Sequence, residues 1–203
     1  MRWQSRQRWP QTRLKPATPL DAVGFLSVDL ETSGLDPRRH AIVSVGWVAL
    51  DGLAIAAGSA GALTVRSTGL SEDIGARFHG LGHDAVAAGV PLSAMLAAFQ
   101  AAAHGRVLIA HGAAIEREFL AKAFRRCALP AFAAQIVDTL ALEQRRPGDC
   151  GPGRLRLDAC RHRYNLPRYK AHDALSDALA CAELFLAQQA HAGWKRLGQV
   201  LTG

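Results

Sequence analysis

The chain has no Cys-x-x-Cys pair, few aromatic residues and no acid in its first twenty positions. Its four cysteines, Cys127, Cys150, Cys160 and Cys181, lack the spacing of a zinc ribbon. Nothing in the sequence marks secretion, so reduced thiols and a cytoplasmic location are expected. Aromatics make up 6% of 203 residues, while the 49% hydrophobic fraction leans on alanine, which predicts a helix-rich core of small and aliphatic side chains. With 20% charged residues the chain falls in the globular range, and wholesale disorder is excluded. No apolar signal-peptide core follows the N-terminus. The longest uncharged stretch, Ala85 to Ala103, is interrupted by Gly89, Pro91, Ser93 and Gln100. It reads as a loop followed by a buried helix, and no membrane partner is expected.

What is present is positive charge, unevenly placed. The chain carries a formal +7, and residues 1–20 supply +5 of it through Arg2, Arg6, Arg8, Arg13 and Lys15. This segment is expected to be a basic arm. An acid-free, Arg-rich start also suits an organellar transit peptide, but Pro10 and Pro16 interrupt the amphipathic helix that would require. A second basic stretch, Arg154 to Lys170, holds six cations against the single Asp158. Clustered cations suit a polyanionic partner, although a solvated surface has the same composition.

The hydrophobic pattern sets the element order. Ala22 to Leu30 and Ala41 to Leu50 are apolar runs separated by a polar turn, the start of a β-hairpin-like pair. A third strand falls within Leu53 to Arg66. Helices are predicted for Pro91–Ala103, Ala114–Arg126, Leu155–Tyr164 and Ala174–Gln189, with a short strand at Arg106–His111 and a short strand, or a strand leading into a helix, at Ile136–Leu140. Strands first, then strands alternating with helices, make an α/β fold with a mixed sheet flanked by helices.

Three clusters carry chemistry. Asp29 and Glu31 alternate at the end of the first strand and therefore project from one face. Two carboxylates so placed repel, and a hard divalent cation, Mg²⁺ or Mn²⁺, resolves the repulsion. A lone Asp-x-Glu is common at strand ends, so this triplet carries little by itself. On the 114–126 helix, Glu116 shares the apolar face with Phe119, Leu120, Ala123 and Phe124, an environment that demands a metal or cationic partner. Glu118, aligned with Lys122 and Arg125, belongs to the solvated face, and His111 reads as a satisfied core histidine. His172 precedes a nearly all-apolar helix in which Asp177 sits at the edge of the buried face, while Asp173 suits the helix N-terminus.

Asp-x-Glu-Thr-Ser-Gly-Leu-Asp from Asp29, Ala-His-Gly-x-x-Ile-Glu-x-x-Phe-Leu from Ala110, and His-Asp-Ala-x-x-Asp-Ala from His172 together resemble the three motifs of the DEDDh (DnaQ-like) 3′–5′ exonuclease family. That family includes the proofreading epsilon subunit of bacterial DNA polymerase III, ribonuclease T and oligoribonuclease. The resemblance spans about residues 22–190. It implies an RNase H-like fold and phosphodiester hydrolysis with two divalent ions. By the same resemblance Asp29, Glu31, Glu116 and Asp177 are metal ligands, His172 is the general base, and Glu31 counts among the catalytic groups. Thr32 and His79 fall where family members approach the terminal nucleotide. Arg161, Arg163 and Lys170, leading into His172, make a strand-tracking surface. The sequence departs from the pattern at Glu116, where the family has Asp, and at Gly112, where it has Asn.

The expected organisation is thus a basic arm over 1–20, an exonuclease domain over 21–190 and a tail over 191–203. The expected partner is a nucleic-acid 3′ end, with single-stranded DNA favoured by resemblance. An exoribonuclease or oligonucleotide scavenger, and a weakly active nucleic-acid-binding module, remain alternatives. A polymerase partner is not expected, because only His191–Gly203 follow the last predicted core helix. Oligomeric state is not legible in the chain.

Overall fold

The computed structural model describes residues 13–66, 88–146, 151, 153–170 and 172–202. Five strands form one mixed sheet in the order β3-β2-β1-β4-β5. β1 (Gly24–Thr32), β2 (Ile42–Asp51) and β3 (Ala54–Thr64) are an antiparallel meander, and β4 (Val107–Ala110) and β5 (Ile136–Asp138) add in parallel beside β1. Between β3 and β4 runs α1 (Leu92–Ala102), with Pro91 at its N-cap; α2 (Ala114–Arg126) links β4 to β5. The last three helices are α3 (Thr139–Gln144), α4 (Leu157–Arg163) and α5 (Ala174–Ala192). Among the described residues no helix is long and apolar enough to cross a membrane.

Side-chain alternation along β1 divides the core into two layers. Leu26, Val28 and Leu30 pack with Met95, Leu96 and Phe99 of α1 and Phe119, Leu120 and Phe124 of α2. Phe25 faces the other way, onto Cys181, Ala182 and Phe185 of α5; the Phe25 and Phe185 rings lie 5.1 Å apart. β1 is thus covered on both sides, and its carboxylates come near its C-terminal end.

Element by element, the predicted strands and helices agree with the structure within a few residues. α5 runs three residues beyond the predicted Gln189 and stops at Gly193, whose left-handed φ of 69° terminates the helix. The expected boundaries at residues 20 and 190 cut through packed structure. Leu20, Leu197 and Val200 are fully buried beside Phe185, and the backbone at Pro19 bridges Arg196. Gln135 exchanges two hydrogen bonds with Leu14, and Thr202 Oγ1 accepts from the Asp138 N–H. The two chain ends therefore close the α5 layer; residues 1–12 of the basic arm lie outside the described residues.

Leu197→Ala should accordingly lower the unfolding free energy by about 2–5 kcal/mol in urea denaturation, the range for emptying a buried leucine site. A peripheral tail would give a change below about 0.5 kcal/mol.

Candidate active site

Three carboxylates meet at the C-terminal end of β1. Oxygens of Asp29, Glu31 and Asp177 all lie within 4.8 Å of one another. Asp29 and Glu31 reach one face by strand alternation, as their spacing requires. Asp177 arrives from the first turns of α5, so the approach of this helix to the sheet fixes the site.

That approach depends on a missing side chain. Gly46 is the cross-strand partner of Asp29 on β2. A methyl group there would overlap the backbone of Ala174 and Leu175, at the start of α5. The helix backbone thus rests directly on the β2 backbone beside Asp29. A second anchor is Ser27, whose buried hydroxyl donates to the Ala178 carbonyl at 2.7 Å. Asp173 caps α5 by accepting from the Ser176 N–H at 2.9 Å, the role its position predicts.

Glu116 stands beside this trio, outside the 4.8 Å group. It is 5% exposed, and its Oε2 has no hydrogen-bond partner. Burial pushes its carboxyl up to about 8, against the pull of a hydrogen bond from its own backbone N–H, and Asp138 adds repulsion. Asp29 is pushed well above the carboxylate range by burial first, then by the charges of Glu116, Asp177 and Glu31. Asp177 is raised by burial, opposed by its hydrogen bond from His172. The residue set therefore fits a hard divalent cation: clustered oxygen donors, repelling one another, with one buried oxygen unpartnered. Asp29, Glu31 and Asp177 would hold it, with Glu116 adjacent.

His172 is exposed at the mouth of the cluster, and its N–H donates to Asp177 Oδ2 at 2.8 Å. Its backbone lies at φ 66°, a left-handed conformation that a non-glycine residue holds only when its surroundings enforce it.

The remaining expectations divide. Thr32 is buried, and its hydroxyl donates to the Gly34 carbonyl at 3.0 Å, shaping the turn after β1. His79 lies outside the described residues. Lys170 is exposed next to the His172 loop, as a strand-tracking cation requires. Arg161 does not join it, which corrects that part of the expected surface. Arg161 is 4% exposed and donates to the Ala180 and Pro167 carbonyls and to Glu183. Arg163 stays exposed while it pairs with Glu143 at 2.9 Å and donates to the Arg154 carbonyl. Both cations serve carboxylates and carbonyls of their own chain, a pairing that charge counting along the sequence does not reveal.

His111 is structural, as expected: its Nε2–H donates to the Leu155 carbonyl at 2.8 Å, its Nδ1 meets Thr139 Oγ1 at 2.9 Å, and burial lowers its pKa. Sequence reasoning passed over Asp138. It caps α3 through the Leu140 N–H and also accepts from the Gly112 and Ala113 N–H groups, fixing the turn that delivers Glu116. An aspartate between a short strand and a helix is an N-cap signal, and that signal was available.

Two outcomes test this geometry. Gly46→Ala should destabilise the fold by about 1–3 kcal/mol through overpacking and lower nuclease turnover by roughly 100-fold through displacement of Asp177. Gly58→Ala, where a methyl meets open space on β3, is the control and should change neither. The second outcome concerns Glu116. Its folded pKa is raised from 4.5 to about 8, so the folded state binds the extra proton. Without divalent ions, stability from this group is full below pH 4.5 and is lost as pH rises through about 8. Glu116→Gln should flatten that decline and raise the melting temperature at the alkaline end, measured by thermal unfolding in chelator across this range.

Residues 26–185 match the family described as Exonuclease, of the ribonuclease T type. The DNA polymerase III subunit epsilon of Treponema pallidum (strain Nichols) is 28% identical over 169 residues, covering 83% of this chain and 78% of that protein. A DNA polymerase III subunit epsilon-like protein of Rhodobacter capsulatus is 32% identical over 175 residues, but the chain spans only 24% of its length. Among solved structures, exonuclease X in complex with 5′ overhanging duplex DNA superposes with a TM-score of 0.65 at 21% identity, covering 87% of this chain and 97% of that one. The zinc-bound form of the E. coli exonuclease I complex with single-stranded DNA gives a TM-score of 0.73 at 16% identity, covering 87% and 42%. These structures share the RNase H-like arrangement of a mixed five-stranded sheet between helices. With its family matched across nearly the whole sheet and all three carboxylate-bearing segments, the chain belongs to the exonuclease family and is a 3′–5′ exonuclease.

Proposed function

We propose that this exonuclease acts on DNA, removing nucleotides from a single-stranded 3′ end with two Mg²⁺ or Mn²⁺ ions. The observation that carries the reading is the convergence of Asp29, Glu31 and Asp177 within 4.8 Å beside the buried, unpartnered oxygen of Glu116. When bound, divalent ions supply an activated water and stabilise the charge that develops on the leaving 3′-oxygen. The protein supplies the rest. Asp29, Glu31 and Asp177 hold the ions, with Glu116 as a further ligand. His172, at the mouth of the site, takes the proton of the attacking water through its imidazole. The acceptor Asp177 Oδ2 fixes the backbone that carries this imidazole.

A polyanionic substrate is supported by cations at or near the surface. Lys170 borders the His172 loop. The exposed Arg66 and Arg126 and the half-buried Lys122 rim a hollow of about 180 Å³ whose floor includes Ile42, Val65 and Phe119 and whose lining, among the described residues, contains no acid. The preference for DNA rests on the relatives: epsilon subunits of a DNA polymerase, and exonucleases solved with single-stranded or overhanging DNA. A cytoplasmic setting belongs to the same reading and is supported by the free thiols of Cys127, Cys160 and Cys181.

Parallel digestion of matched DNA and RNA oligonucleotides, with free and blocked 3′ ends and with Mg²⁺ or chelator, tests the proposal. Unblocked DNA should be shortened stepwise in Mg²⁺ alone. Asp29→Ala and Asp177→Ala should each lower turnover by roughly 1,000-fold, about 4 kcal/mol of barrier, with the fold intact. Preference for RNA would make the chain an exoribonuclease, and binding of strands without cleavage would make it a binding module.

A further inference from the structure

We infer that Arg161 is a positioning residue for His172, acting through a buried clamp on the loop that carries it; this rests on the reading of His172 as the proton acceptor. The loop from Tyr164 to Asp173 joins α4 to α5. Asn165, Pro167, Arg168, Tyr169, Lys170, His172 and Asp173 are all exposed, so apolar burial contributes little to its shape. Yet His172 is held in a left-handed conformation at φ 66°, and Asn165 in another at φ 55°. The conformation at His172 is disfavoured for a residue with a side chain and persists only where other contacts over-determine it.

Those contacts converge on one guanidinium. Arg161 sits in α4 and is almost fully buried, an unusual state for a cation unless it is fully paired. Its Nη1 donates to the Ala180 carbonyl of α5 at 2.6 Å. Its Nη2 donates to the Pro167 carbonyl of the loop and to Glu183 Oε2 of α5, each at 2.8 Å. The second Glu183 oxygen accepts from the Tyr169 hydroxyl at 2.8 Å, and the Tyr169 ring lies over the guanidinium at 4.7 Å. The middle of the loop is thereby fastened to α5. Its far end is fastened to the same helix, nearer its N-terminus, by the His172 N–H on Asp177. Both fastenings refer the loop to the helix that delivers Asp177, so His172 and the carboxylates keep one frame. The planar fork of arginine meets three acceptors in fixed directions, which the single ammonium of lysine does not reproduce.

The test uses the full chain with Arg161→Lys, Tyr169→Phe, His172→Ala and the double variant Arg161→Lys/His172→Ala. Arg161→Lys should lower kcat by roughly 100-fold, with KM for a DNA strand and the salt dependence of binding as in wild type. Tyr169→Phe, which removes only a hydroxyl at the surface, should act in the same direction by roughly tenfold. In the His172→Ala background, Arg161→Lys should cause no further loss, because its effect passes through that imidazole. Independent, multiplicative losses would overturn the inference. So would a raised KM with a flattened salt slope at unchanged kcat, the signature of a phosphate contact. Amide hydrogen exchange supplies a readout that does not require activity. In Arg161→Lys the His172 and Leu166 amides should lose protection by roughly tenfold, while amides of β1 keep theirs. Unchanged protection at His172 overturns the clamp even if wild type proves inactive, whereas inactivity of wild type alone counts against the nuclease reading.

Discussion

The rest of the structure is arranged around a repulsion. Asp29, Glu31 and Asp177 share a few ångströms at the end of β1, and Glu116 is buried beside them. Like charges that close, partly removed from water, oppose one another and oppose burial. The carboxyl of Asp29 is accordingly pushed well above its ordinary value, by burial first and then by its acidic neighbours. A fold selected for stability alone would separate these groups or neutralise one of them. Here the segments that carry them are instead held by contacts that do not involve the carboxylates.

Each segment has its own anchor. α5 lies on Gly46 backbone to backbone, is tied to β1 by Ser27, and packs through Cys181, Ala182 and Phe185. The turn before α2 is gripped by Asp138, and α2 itself is fixed by Phe119, Leu120 and Phe124. These anchors explain the composition. A chain with many alanines and few aromatics brings helix axes close to a sheet, and close approach is what lets an aspartate on α5 reach an aspartate on β1. Leu197 and Val200 seal the far end of the same layer, so residues distant from the site contribute to the rigidity that the site needs.

Legibility followed the range of the interaction. The β1–β2 pair, α2 in full and the positions of Asp29, Glu31 and Asp177 were readable, because period and face are local properties of a few neighbouring residues. The apolar face of α2 even marked Glu116 as buried before any fold was known. Arg161 was misplaced because a run of cations looks the same whether it faces solvent or faces Glu183, far along the chain. Gly46 carried no signal: its role appears only when the start of α5, far along the chain, comes to rest on it. The terminal segments were read as arm and tail because each is short and weakly patterned; their packing on Phe185 and on each other appears only in the fold. Asp138 is the one miss that local grammar had encoded.

The same repulsion links the empty and loaded states of the site. Below about pH 8 the Glu116 carboxyl keeps its proton when no cation is near, since burial favours the neutral form. A divalent cation must displace that proton to use the oxygen, so cation affinity rises with pH while the stability of the empty fold falls. The two trends cross on one side chain. Proton and cation are alternative solutions to a single electrostatic problem, and the anchors on α2 and α5 keep the pocket in place while one replaces the other. A glutamate with an unpartnered oxygen suits this exchange, because no internal hydrogen bond to that oxygen has to be broken when the cation arrives.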